Sequence, residues 1–244
     1  MPYRKPEFVN GEIYHLVIRR QGDQLLFKNI DDYYRGIFSI YEFNNVKPVV
    51  IRERRRLRAE IKKAIKANRV RDSETDTRDK LVEVLVFCFM PNHIHLLVKQ
   101  LREGGIVKLM NKIGSGYSGY FKRKYNLKRR EHFFAERFTA VHIKTEVQLK
   151  IVFVYIHVNP ISLIEPNWKE NGIKDPERAI KFLEEEYRWS SLFDYLGKKN
   201  FPSVTDRDFI LEIMGGKDGC RELVEDWVRY KGKIKKYAGL ALEQ

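Results

Sequence analysis

Two histidines one residue apart, His93 and His95, lie in the run Met90-Pro91-Asn92-His93-Ile94-His95-Leu96-Leu97-Val98, which reads as a β-strand. Strand alternation puts both imidazoles on one face and Ile94 on the other. The two stand about 7 Å apart along the strand by its rise per residue, close enough to converge on one metal ion. Further along, Tyr155 and Asn159 sit at i and i+4 of an apolar segment with helical pattern, and so share one face. Each of the four has an ordinary role open to it: a satisfied histidine, a core aromatic, a helix C-cap. Taken together they form a coherent set, with two imidazoles and an amide oxygen for a divalent ion and a phenol as nucleophile.

Such a set suits phosphodiester cleavage. A metal held by nitrogen and oxygen ligands polarises a phosphoryl oxygen and offsets the charge that develops during attack. A phenol has a pKa near 10 and needs a metal, a base or a favourable field to act as a nucleophile. Attack leaves a phosphotyrosine ester and a free 3′-OH, and because the ester keeps the bond energy the site can also rejoin strands.

The elements that must carry these groups follow from periodicity. Residues 12–20 read as a first strand, with Leu25 to Phe27 as a possible continuation. Asp31-Asp32 open a helix whose apolar face is Tyr33, Tyr34, Ile37, Phe38 and Tyr41. Residues 48–71 form a basic helix with a thin stripe at Leu57, Ile61, Ala64 and Ile65, suited equally to a phosphate backbone or to solvent. Leu81–Met90 and His93–Lys99, joined by Pro91-Asn92, read as a hairpin. After Gly104-Gly105 comes an amphipathic helix with Ile106, Leu109, Met110, Ile113, Tyr117, Tyr120 and Phe121 inward and lysines and arginines outward. Its interleaved aromatic and basic residues suit either nucleic-acid contact or a core. Phe133 to Lys144 reads as a fourth strand, and Thr145 as the N-cap of the apolar helix that ends near Asn159-Pro160. The order β-α-β-β-α-β predicts an α+β fold, a ferredoxin-like (split βαβ) antiparallel sheet flanked by helices. A basic helical insertion at 48–80 and a C-terminal helical extension at 198–244 complete it, the latter either a DNA-contacting tail or a packing element.

Composition narrows the partner. Lys and Arg number 47 against 33 acidic residues, a net charge of +14, which points to a polyanion, with nucleic acid foremost. No apolar run approaches a membrane span, and Met1 to Glu7 lacks the apolar core of a signal peptide. Cys88 and Cys220 read as free thiols of a reducing cytoplasm.

The His93-Ile94-His95 run, followed by Tyr155-Ile156-His157-Val158-Asn159-Pro160, resembles the single-tyrosine HUH transposases, and their REP-associated (IS200-like) branch in particular. Tyr14-His15-Leu16-Val17 is similar to that family's first strand, and His132-Phe133-Phe134-Ala135-Glu136-Arg137-Phe138 to the segment before its catalytic helix. Tyr187-Arg188-Trp189-Ser190-Ser191, with Tyr195-Leu196-Gly197, is similar to its C-terminal signature, so the transposase domain would span 1–197. The resemblance implies Tyr155 as nucleophile and His93, His95 and Asn159 as ligands of Mg²⁺ or Mn²⁺. It implies cleavage and rejoining of single-stranded DNA beside hairpins through a 5′-phosphotyrosine, by a monomer or homodimer in the cytoplasm, associated with the nucleoid. The cations expected to meet DNA are Arg19, Arg54, Arg55, Lys112, Arg123, Lys124 and Arg137. Two departures bear on DNA preference: the long 48–80 insertion, and Ile161-Ser162-Leu163 where Val-Arg-Ala is usual. The alternatives are a domesticated hairpin binder that does not cleave, and an RNA-binding sheet using Phe87 and Phe89 as stacking platforms.

Overall fold

The computed structural model describes residues 7–22, 24–67, 76, 78–128, 132–135 and 137–230. Four strands, β1 (Ile13–Arg19), β2 (Val82–Met90), β3 (His93–Gln100) and β4 (Thr139–Ile143), form one sheet in the order β2-β3-β1-β4. Every neighbouring pair is antiparallel. With α1 (Ile30–Glu42) between β1 and β2, and α3 (Gly105–Lys124) between β3 and β4, this is the ferredoxin-like topology expected from the element order. The basic insertion supplies α2 (Ile51–Lys66).

Side-chain alternation divides the core in two. Tyr14, Leu16 and Ile18 of β1 and Ile94, Leu96 and Val98 of β3 pack against α1 and α3 with Phe87 and Phe89 of β2. Leu97 of β3 and Leu85, Val86, Cys88 and Met90 of β2 face the other way, onto α4 (Glu146–Val158). A register shift between Val84 and Val86 lets both Leu85 and Val86 point to that second face. Thr145 caps α4, its side chain accepting from Gln148 N. Phe87 and Phe89 are fully buried, which removes them as stacking platforms for RNA.

The second core also holds α5 (Trp168–Asn171), α6 (Pro176–Lys181), α7 (Leu192–Tyr195), α8 (Asp208–Met214) and α9 (Gly216–Tyr230). The segment 187–195 lies along the outer edge of β2. Phe89 N donates to Trp189 O at 2.9 Å and Ser191 N to Phe87 O at 3.0 Å, while Tyr187 OH reaches Phe89 O and Tyr195 OH reaches Leu85 O. An edge strand that would otherwise offer unpaired backbone is thereby covered. Cys88 and Cys220 are both free and buried.

Several local expectations change. Leu25–Phe27 does not extend β1; Leu26 N and Phe27 N both donate to Pro91 O, so the segment folds over the hairpin turn. Tyr34 is exposed, because Gly36, Ile37 and Ile40 form the inner stripe of α1 with Tyr33 beside it. β4 begins only at Thr139, since Phe133 and Phe138 leave the ladder to enter the first core. The chain beyond α4 does not break at Pro160 but tightens into a 3₁₀ turn over Asn159–Leu163, with Asn159 itself helical. The charged run from Asp175 to Tyr187 forms α6 continued by a π-turn, Phe182–Glu186. Among the described residues no helix is long and apolar enough to cross a membrane. The basic stretch 231–236 lies outside the described residues.

Candidate active site

β3 presents His93 and His95 on the face covered by α4, both buried. Their Nε2 atoms are 2.9 Å apart. Asn92 Oδ1 lies 2.6 Å from His93 Nδ1. An amide oxygen only accepts, so His93 carries its proton on Nδ1 and keeps a lone pair on Nε2. β1 runs antiparallel alongside, with Val17 opposite His95 and Arg19 opposite His93, and so brings a third imidazole to the same face. His15 Nε2 is 3.0 Å from His95 Nδ1, and the two rings stack 5.2 Å apart.

Burial keeps all three rings neutral. It pushes His93 down to about 3, helped by the charges of Arg19 and Lys169, and His15 down to about 4. His95 is held well below its ordinary value by burial, then by His93 and His15. Neutral imidazoles have the lone pairs that metal binding needs.

From α4, the Tyr155 ring stands edge-on to the imidazoles, its centroid 5.8 Å from His95 and 6.1 Å from His15. Lys169 of α5 sets its ammonium 5.4 Å above the Tyr155 ring. Asn159, one turn on and buried, donates from Nδ2 to Tyr155 O at 2.9 Å, which leaves the amide oxygen for another partner. His157, between them, serves a different purpose: its Nε2 lies 2.8 Å from Ser191 Oγ, tying α4 to the segment on the β2 edge.

Facing Nε2 lone pairs at this distance repel unless a proton or a cation lies between them. Two cis ligands of an octahedral ion with bonds of 2.0–2.1 Å stand about 3 Å apart, so the His93–His95 edge fits such an ion. Two imidazole nitrogens with an amide oxygen could hold one divalent ion whose remaining positions are completed by water.

The seven cations proposed for DNA divide unequally. Arg19 alone lies on the face of the histidines. Arg54, Arg55, Lys112, Arg123 and Lys124 belong to α2 and α3, α3 packing on the opposite side of the sheet. Arg54 is committed to Glu42, 2.5 Å away, and Lys124 to Asp32, Tyr120 and Asn29. Lys112 donates to the carbonyls of Asn45 and Lys47. Arg137 is exposed beside a cleft with Met110, Phe134 and Phe138. Reading the sequence did not single out His15, Asn92 or Lys169. His15 had a signal in its parity with Val17 and Arg19, but only the β1–β3 register puts it beside His95.

The ferredoxin-like sheet thus sets paired histidines on a central strand, with a helix-borne tyrosine over them. Residues 45–159 match the model of the family described as Transposase IS200 like, the family that the motifs resemble. The matched stretch includes His93, His95, Tyr155 and Asn159. No curated protein matches the chain at a significant level. A solved structure described as a REP-associated tyrosine transposase bound to a REP hairpin is similar at 14% identity, with a TM-score of 0.43, covering 85% of this chain and 96% of that one.

Proposed function

We propose that the protein cleaves and rejoins single-stranded DNA near hairpins, with Tyr155 as nucleophile. The carrying observation is the approach of Tyr155, on α4, to the His93–His95 pair on β3, with an Nε2 edge of the right length for one divalent ion. The phenolic oxygen attacks phosphorus, the P–O3′ bond breaks, and the departing 3′ oxygen takes up a proton as the phenol loses one. The product is a 5′-phosphotyrosine and a free 3′-OH, and reversal with a different 3′-OH joins strands. His93 and His95, through Nε2, and Asn159, through its amide oxygen, would hold Mg²⁺ or Mn²⁺. When bound, the ion supplies Lewis-acid polarisation of the phosphoryl oxygen. Arg19 and Lys169, whose charges already reach both histidines, attract the phosphate and oppose the negative charge that accumulates on it. Burial of the histidines excludes competing water.

The test is an oligonucleotide carrying a hairpin, labelled in turn at each end, incubated with Mn²⁺ or Mg²⁺ and run on a denaturing gel. Wild-type protein is expected to retain the label 3′ of the break as a covalent adduct, and Tyr155→Phe to form none. An undiminished adduct with Tyr155→Phe removes the tyrosine from this role. Tight hairpin binding without an adduct in either metal favours the non-cleaving binder.

A further inference from the structure

On the side of the sheet away from the histidines, α1, α2 and α3 enclose a cleft of about 410 Å³ lined by Arg35, Arg52, Arg55, Arg123, Tyr120 and Ile51. Arg35 is 7% exposed, and its Nε and Nη2 have no hydrogen-bond partner. Its guanidinium lies 4.9 Å from the Phe38 ring and 5.2 Å from the Tyr120 ring. Stacking of this kind orients the fork but satisfies none of its N–H groups. Arg78, at a similar depth, is by contrast answered by Asp76 and the carbonyl of Tyr41. Among the described residues none of the four cleft arginines makes an ion pair. Burial lowers the Arg35 pKa and the charges of Arg55 and Arg123 lower it further, so the positive groups repel one another across the cleft.

Four guanidinium groups around one cleft, one buried with open donors, match a tetrahedral oxyanion, which Arg grips bidentately. We infer that this cleft binds a backbone phosphate of nucleic acid, at a point remote from the bond being cut. The identity of the occupant rests on the reading of the protein as a DNA enzyme; the anion site itself does not. The sheet and its two helical layers separate the cleft from Tyr155, roughly 20 Å for two packed layers. At about 3.4 Å per base pair that is roughly six base pairs of stem. A hairpin reaching round the sheet would thus be held at its stem by α1–α3 while its single-stranded flank lay at α4.

Inorganic pyrophosphate and a hairpin DNA serve as two probes of the full-length protein, with Arg55→Ala/Arg123→Ala as the principal variant because both side chains are exposed. Arg35→Lys, which keeps the charge and loses the fork, is the second variant. Pyrophosphate is expected to raise the thermal midpoint of wild type, to do so less for Arg35→Lys, and not at all for the double variant. For the hairpin, measured by anisotropy across a NaCl series, the double variant should bind roughly tenfold more weakly, with a log–log salt slope smaller by about 0.7–0.9 per phosphate lost. Equal pyrophosphate stabilisation of wild type and double variant overturns the site. Loss of the pyrophosphate effect with an unchanged DNA affinity and slope overturns nucleic acid as its occupant. If wild type responds to pyrophosphate but binds no DNA, the anion site stands and the function proposed for Tyr155 falls.

Discussion

His15 is the residue on which the protonation of the pair depends. For His95 to present a lone pair at Nε2, its proton must sit on Nδ1, and the acceptor 3.0 Å away is His15 Nε2. Asn92 performs the same service for His93 from the neighbouring position. Outer partners of this kind typically change metal affinity or activity by 10–100-fold when removed. His15→Leu should therefore weaken Mn²⁺ binding by about that factor, measured calorimetrically, while His15→Gln, whose amide oxygen still accepts, recovers part of it. Metal affinity in His15→Leu equal to wild type would show that the third imidazole does no more than fill space. His15 is itself buried and offers DNA no surface, so hairpin binding in EDTA should be unmoved by either change.

Between elements, the most concentrated polar contact joins α1 to α3 through Asp32. Its fully buried carboxylate accepts from Lys124, Tyr120, Tyr125 and the backbone of Lys28, and closes the capping box with Asn29. Burial pushes the carboxyl up, but Lys124, Tyr125 and the Lys28 N–H together hold it below its usual 3.8. A carboxyl whose folded pKa lies below its unfolded one adds stability that is complete above the unfolded value and is lost as pH falls through the folded one. Asp32→Asn should cost about 3 kcal/mol near neutral pH, since it leaves Lys124 and two phenols facing a neutral amide. The gap between wild type and variant should narrow as urea titrations move below pH 3.8, and a gap constant with pH would discount the charge. The same elements mark what could be read without coordinates. Strand parity, the Pro91-Asn92 hairpin and the Thr145 cap carry enough local signal to give the topology, the histidine face and the tyrosine helix. Phe133 and Phe138 mimic a continuous strand because aromatic residues favour both strands and cores, and their turn into the first core, leaving Phe134 in a lone bridge to Arg20, is a tertiary matter. Nor does a helical pattern say which side of a sheet its cations will occupy, which is why Arg54 and Lys124 read as DNA contacts yet meet Glu42 and Asp32.

At the scale of the whole molecule, the helix that carries Tyr155 depends on the end of the chain. α4 is apolar nearly all round, and a helix of that kind must be covered on every side. The sheet covers one side, and α9 covers another with Cys220, Val224 and Val228 at four-residue spacing. Trp227 of α9 packs edge-on against buried Trp168 at 5.4 Å, and Trp168 is the residue before Lys169, whose ammonium sits over the Tyr155 ring. The C-terminal helices thus reach the candidate nucleophile through two packed layers. Trp227→Ala should cost about 3 kcal/mol by opening a cavity beside Trp168. It should also slow single-turnover adduct formation at temperatures where the variant is still fully folded, because Lys169 loses the support that positions it. Hairpin affinity, which draws on other surfaces, should change far less. A stability loss with an unaltered single-turnover rate would mean that α9 steadies the fold without bearing on Tyr155. Unaltered stability would mean that the Trp168–Trp227 contact contributes nothing to the second core.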